Sequence, residues 1–234
     1  MTVTAASRTA DSLRAAVLDG HLRPGQRLDE ADLATELAVS RNTLREAFRL
    51  LGHEHIVEHL PNRGVFVRRL SLKEARDLYQ ARRLLECGAL REAAAVKQES
   101  AGWEASDREA FEANWANAVA AMQWAAHEGD AAAARGDYEA VGTANGHFHL
   151  ALASLPANEV IDRTLRTVLT EMRLLFVVVA DPRSVHERYV EPNLHIAELV
   201  ASGEMARASV ALEEYLLAAQ EHLLGVYAEH VTGA

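Results

Sequence analysis

Arg41, Asn42, Thr43 and Arg45 follow Ser40 within six residues, and their types are those that read a DNA groove. An arginine fork matches O6 and N7 of guanine. An asparagine amide matches adenine, and a threonine hydroxyl reaches a phosphate oxygen. Leu44, Ala47, Phe48 and Leu51 recur at helical spacing behind them, so one helix would bury the apolar stripe and present the polar first turn. The backbone N–H groups of such a turn also favour an anion. Asn62, Arg63 and Gly64 lie in the turn Pro61-Asn62-Arg63-Gly64, whose tip can reach a minor groove or the DNA backbone. Catalytic patterns are missing from the sequence. It holds no paired carboxylates at acid–base spacing, no Gly-rich phosphate loop, no nucleophile elbow and no Cys–His arrangement.

A groove-reading helix needs a scaffold. Leu13, Ala16, Val17 and Leu18 give a first helix over 12–19, with Gly20 as its stop. Arg23-Pro24-Gly25-Gln26 is a turn, and Asp29 caps a second helix from Glu30 to Leu37. After the turn Ala38-Val39, Ser40 caps a third helix from Arg41 to about Gly52. The period then switches. Residues 56–60 and 65–68 read as two strands around the Pro61–Gly64 turn, a β-hairpin. Three helices and a hairpin make the order of a winged helix-turn-helix.

Ser71 and Glu74 form a capping box, and the pattern is helical from there on. Helices are expected over about 71–97, 107–128, a short piece punctuated by Gly129-Asp130 and Gly136-Asp137, a helix ending near Ser154, then 159–179, 192–203 and 204–230. The fold class is therefore mainly α: a winged helix-turn-helix at 1–70, then an antiparallel all-helical bundle of six or seven helices at 71–234.

Composition agrees with this. Of the chain, 49% is apolar and only five residues are proline, which favours helix. Cys87 is the single cysteine, which excludes an internal disulfide and a thiolate-rich zinc site, and it reads as a small core residue. The longest apolar run, Leu174 to Ala180, is far short of the ~20 residues a membrane span needs. Met1–Ala10 has no apolar signal region, so a cytoplasmic protein without membrane contact is expected.

The net charge of −10 is uneven: residues 1–70 carry +1, residues 41–69 alone +3, and residues 71–234 carry −11. A DNA-facing front and a solvated rear fit this distribution, whereas a general architectural DNA binder would be basic throughout. Trp103, Trp115 and Trp124 read as packing and dimer-contact residues, and His127, His186, His222 and His230 as surface or cap residues.

The run Leu13-Arg14, Gly20, Leu22-Arg23-Pro24-Gly25, Leu28, Glu30, Leu33-Ala34, Leu37, Val39-Ser40-Arg41, Leu44-Arg45-Glu46-Ala47, Leu50 and Pro61–Val67 resembles the GntR family of bacterial regulators across residues 12–70. The resemblance implies that Arg41, Thr43 and Arg45 touch operator DNA and that Gly64 lies at the wing tip. Many relatives carry Thr-Pro where this chain has Asn42-Thr43, and an arginine where it has Ala31, so no operator sequence is implied. Leu78–Glu86, and Asn145–Leu152 followed by Pro156-Ala157-Asn158, resemble the FCD effector domain of the FadR-like branch over about residues 71–224. The resemblance thus implies a homodimeric transcription regulator, repressor or activator, whose helical domain binds a small-molecule effector and alters operator binding.

Such domains often hold a metal through an acid, a histidine four residues on, and two later histidines. The corresponding residues here are Asn145, His149, Asn193 and Tyr215, with His195 two residues from Asn193 and on another face. One imidazole beside Asn and Tyr is a poor zinc set. A metal-free pocket is therefore expected, with these four residues as hydrogen-bonding groups. A divalent metal held through Asn oxygen is the alternative. Arg82 lies on the helix that lines the cavity in this family and offers a fork to a carboxylate, such as a sugar acid or another small organic acid. Its alternative is a structural ion pair with Glu86, four residues on. Arg173 is expected to face the same space. Other functions weighed are a metal-dependent enzyme in the helical domain, invited by His147 and His149, and a non-sensing architectural DNA binder.

Overall fold

The computed structural model describes residues 4–18, 21–178 and 181–232. The chain divides into two compact units: Met1–Ala75 with Thr170–Ala180, and Arg76–Leu169 with Asp181–Ala234.

In the first unit, α1 (Ala5–Leu18) buries Ala6, Ala10, Leu13 and Val17 and packs on α3 (Arg41–His53), which buries Leu44, Ala47, Phe48 and Leu51. The expected stop at Gly20 lies outside the described residues. Arg14 fixes the pairing of the two helices. Its Nε and Nη2 meet the two carboxylate oxygens of Glu54 at 2.7 and 2.6 Å, a bidentate fork at the end of α3. Between them, α2 (Glu30–Glu36) is capped by Asp29, which accepts from the N–H groups of Ala31 and Asp32. Ala38 takes a left-handed φ of 51° in the turn that follows, and Ser40 caps α3 by accepting from Thr43 N–H at 3.1 Å.

The wing has one more strand than the hairpin pattern gives. β2 (Val57–Leu60) and β3 (Gly64–Val67) pair antiparallel, and a two-residue β1 (Arg27–Leu28) adds to the other edge of β3, giving the order β1-β3-β2. Two residues carry no readable period, so β1 is set by tertiary pairing, Arg27 opposite Phe66 and Leu28 opposite Val65. Ser71 and Glu74 form the expected capping box: Ser71 N–H donates to Glu74 at 2.8 Å and Glu74 N–H to Ser71 Oγ at 3.2 Å. Arg68, just past β3, pairs with both Glu74 and Glu171.

The second unit is helical throughout its described residues. It comprises most of α4 (Leu72–Glu99), α5 (Ala105–Ala134), α6 (Tyr138–Ala153), the start of α7 (Glu159–Phe176), the short α8 (Pro182–His186), α9 (Val190–Ala201) and α10 (Met205–Thr232), with 3-10 turns at Ser100–Gly102 and Glu187–Tyr189. Gly129 does not break α5, which runs unbroken to Ala134. The alanines at 131–134 sustain the helix. The glycine is buried where α5 meets α6, and a Cβ there would touch Ala144 Cβ at 3.6 Å. His186 also departs from its expected surface position. It is 4% exposed and lies against Gly142 of α6, because α8 folds back onto that helix. No helix among the described residues is long and apolar enough to cross a membrane.

Candidate functional site

The first unit presents its polar first turn as the sequence pattern requires. Leu44 and Phe48 are fully buried, which turns Arg41, Asn42 and Arg45 outward; these three are exposed and Thr43 is half-buried. Thr43 Oγ1 lies 2.8 Å from Ser40 Oγ, so the cap also orients the Thr43 hydroxyl. Arg45 is held by Glu30 of α2 at 2.8 Å, with the arginine side chain 61% exposed. An exposed pair of this kind contributes about 0.2–1 kcal/mol, so a phosphate or base can displace the carboxylate at little cost. At the wing tip Asn62 has φ 59° and Gly64 φ 104°, both left-handed, and Arg63 stands over the Phe66 ring at 5.6 Å. Arg27 of β1, which the sequence reading did not single out, flanks Gly64: a Cβ there would lie 3.5 Å from Arg27 Nε.

The second unit holds a polar cluster in its interior. Arg82 and Glu86 sit one turn apart on α4, Asn145 and His149 one turn apart on α6, Asn193 on α9 and Tyr215 on α10. All are between 0% and 8% exposed. Glu86 pairs with Arg82 Nε through one carboxylate oxygen and with His149 Nδ1 at 2.6 Å through the other. His149 Nε2 lies 3.1 Å from the Tyr215 hydroxyl. Tyr215 donates to Asn145 Oδ1 at 3.0 Å, and Asn193 Nδ2 donates to the same oxygen at 2.8 Å. The ring of Tyr189 meets that of Tyr215 edge to face at 5.3 Å. Three buried polar atoms around this network have no hydrogen-bond partner: Arg82 Nη2, the Tyr189 hydroxyl and Asn193 Oδ1.

Electrostatics fix the protonation pattern. Burial pushes the Glu86 carboxyl up, but Arg82 and His149 outweigh it and leave it below its ordinary value, so it is ionised. Burial and the Arg82 charge hold the His149 imidazole below its ordinary value, against the pull of Glu86. The ring is therefore neutral at neutral pH. Because an ionised carboxylate only accepts, His149 Nδ1 carries the proton and Nε2 is the acceptor. The one hydroxyl proton of Tyr215 is then shared between two acceptors, His149 Nε2 and Asn145 Oδ1.

The four residues at the family's metal positions bond to one another instead of converging on one point. Asn145 Oδ1 accepts twice, both oxygens of Glu86 are engaged, and His149 is the one imidazole in the cluster. Among the described residues no group of three or more His, Cys, Asp or Glu is arranged to hold an ion.

The structure thus brings together Arg82, Asn145, His149, Asn193 and Tyr215. His195 is exposed and turned away from them. The ion pair weighed as an alternative for Arg82 is present, through Nε, while Nη2 stays uncommitted. Arg173 lies in the final turns of α7, which group with the first unit. Glu86 and Tyr189 were missed as members of the site. Glu86 carried a signal in its spacing from Arg82, whereas Tyr189 sits in a 3-10 turn that only the tertiary fold places.

Comparison with known proteins agrees on both units. Residues 5–67 match the model of "Bacterial regulatory proteins, gntR family", and residues 77–218 match the FCD domain. The Nta operon transcriptional regulator of Aminobacter aminovorans is 31% identical over 182 residues, covering 77% of this chain and 76% of that one. The HTH-type transcriptional regulator LutR of Bacillus subtilis is 26% identical over 92% of this chain and 99% of its own. Among solved structures, a GntR transcriptional regulator from Rhodococcus sp. RHA1 superposes with a TM-score of 0.80 at 37% identity, covering 95% of this chain and 98% of that one.

Proposed function

The chain belongs to the GntR family of bacterial transcription regulators, with an FCD domain behind its winged helix-turn-helix, and we propose that it acts as a cytoplasmic homodimer whose operator binding is set by a small organic or sugar acid held in the helical unit. On DNA, Arg41, Asn42 and Arg45 face base edges in the major groove, and Thr43 bonds a phosphate. Asn62, Arg63 and Gly64 lay the wing tip along the adjoining backbone or minor groove. Two-fold pairing of such heads would match a pseudo-palindromic site.

One observation carries the effector half of this reading: a fully buried arginine, Arg82, keeps a terminal nitrogen without a partner beside a closed hydrogen-bond network. A buried donor left unmade costs about 1–3 kcal/mol, and more when charged. A ligand carboxylate would remove that cost. Asn145, His149, Asn193 and Tyr215 would orient the rest of the molecule without a metal. Coupling to DNA requires only that the acid bind one arrangement of the heads better than the other.

The test has two arms. Fluorescence anisotropy with duplex from the region upstream of the protein's own gene should give site-selective binding that weakens steeply with salt. Arg41→Ala with Arg45→Ala should reduce it to the level of random duplex. A thermal-shift screen of sugar acids and carboxylates, with and without divalent metal, should raise the melting temperature of the full chain independently of metal. Selective capture that survives the double substitution would refute the DNA-reading assignment. Tight stoichiometric zinc binding, lost in His149→Ala, would refute the metal-free site.

A further inference from the structure

β1 alternates as a strand must, with Leu28 buried and Arg27 exposed. Arg27 stands opposite Phe66 in the register, so the two side chains share one face of the wing sheet. Arg63 covers the same Phe66 ring, its guanidinium carbon 5.6 Å from the centroid. At its far end Arg27 reaches the glycine of the wing tip: a Cβ on Gly64 would lie 3.5 Å from Nε and 3.9 Å from Nη2. Towards α3, Arg27 shares a neighbour with the first residue of that helix. The N–H groups of Asp32 and Ala31 hold the Asp29 carboxyl below its ordinary value, and the charges of Arg27 and Arg41 act on it in the same direction. Arg27 therefore lies in the notch between the wing tip and the first turn of α3.

Its charge is uncommitted. Arg45 and Arg49 are paired with Glu30 and Glu46, whereas among the described residues no ion pair engages Arg27. The Asp29 carboxylate is taken by the two N–H groups it caps. The strand itself is held by main-chain pairing and by buried Leu28, so the fold makes no use of the guanidinium charge.

A duplex carries one ribbon of phosphates between its major groove and the adjoining minor groove. A protein that sets α3 in the first and its wing tip beside the second must straddle that ribbon, and the notch is where it does so. Resting on the DNA reading above, we propose that Arg27 clamps this strand, its planar fork gripping a phosphate between the two grooves while Gly64, without a Cβ, leaves room for the approach. The contact touches no base edge. It adds affinity and fixes the register of the head without reading sequence.

Anisotropy titrations of the full chain between about 50 and 300 mM salt test this, with the upstream duplex and with random duplex of equal length. Arg27→Gln should weaken both by about threefold to tenfold, leave their ratio unchanged, and flatten the dependence of log affinity on log salt by about 0.9. Arg27→Lys should restore the slope, since lysine meets phosphate as a point charge. Both variants should melt with wild type, because the side chain is exposed. Replacing phosphates one at a time by neutral methylphosphonates should reveal a position that costs the wild-type chain affinity and costs Arg27→Gln nothing. A wild-type slope and affinity in Arg27→Gln would overturn the clamp and leave the recognition helix its role. A fall in the ratio of upstream to random binding would overturn it as well, since Arg27 would then read bases. If the wild-type chain captures no duplex selectively, or Arg41→Ala with Arg45→Ala leaves capture intact, the DNA reading falls first and the clamp with it.

Discussion

Glu86→Gln is the sharpest perturbation of the helical unit, because Glu86 bridges two buried partners, Arg82 and His149. Its side chain is 0% exposed, and that of Arg82 is 3% exposed. Glutamine keeps the shape and one acceptor but removes the charge that compensates a buried guanidinium. Breaking one side of a buried pair costs about 3–5 kcal/mol, whereas replacing both sides by groups of similar volume is close to neutral. The single substitution should therefore destabilise the unit by about 3–5 kcal/mol. Arg82→Met combined with Glu86→Gln should recover most of that loss, since no uncompensated charge remains. Urea unfolding at neutral pH followed by tryptophan fluorescence reads this unit alone, because Trp103, Trp115 and Trp124, the three tryptophans of the chain, all lie in it. A single mutant within about 1 kcal/mol of wild type, with a double mutant no better, would mean that solvent screens the pair and the buried-charge argument is wrong.

Other outcomes follow from the same contacts. Glu86 and His149 both have values depressed by the fold, so the unfolded chain binds more protons than the native one in acid. Their contribution is complete above the unfolded histidine value of about 6.5. Fluorescence-monitored stability should thus begin to fall as pH drops below that point, and fall again through the carboxylate range. A flat profile between neutrality and pH ~5 would contradict a neutral buried His149. Gly142→Ala should destabilise, since its Cβ would stand 2.6 Å from Nε2 of buried His186, and overpacking of about 1–3 kcal/mol outweighs the helical gain of about 1 kcal/mol. Gly129→Ala, whose Cβ would make an ordinary 3.6 Å contact with Ala144, should instead stabilise by about 0.5–1 kcal/mol in the same unfolding assay. Calorimetric melting should show Ala38→Gly raising the stability of the first unit by up to about 1 kcal/mol, because it releases a left-handed φ of 51°.

Much of this architecture is legible in the residues because its signals are local. The caps at Asp29 and Ser40 and the Ser71–Glu74 box act within one turn of chain, and the stripe from Leu44 to Leu51 fixes which side of α3 faces out. What escaped reading depends on partners far along the chain. β1 exists only because β3 offers it an edge 37 residues later, by the pairing of Leu28 with Val65. Gly129 resembles a helix stop until α6 is seen to need the space. His186 resembles a surface residue until α8 folds back. Within the cluster, the resemblance supplied Asn145, His149, Asn193 and Tyr215 as positions. It did not supply their mutual bonding, nor the central place of Glu86, nor the grouping of Arg173 with the other unit.

The contrast in exposure between the two chemistries separates what each responds to. Arg41 and Arg45 stand in water, so ionic strength governs the interactions they make. Glu86 and His149 are shut away from mobile ions, so added salt scarcely reaches them, while a falling pH does. Added salt would thus weaken whatever these exposed arginines hold while leaving the buried cluster almost untouched. A falling pH acts instead on the buried Glu86 and His149.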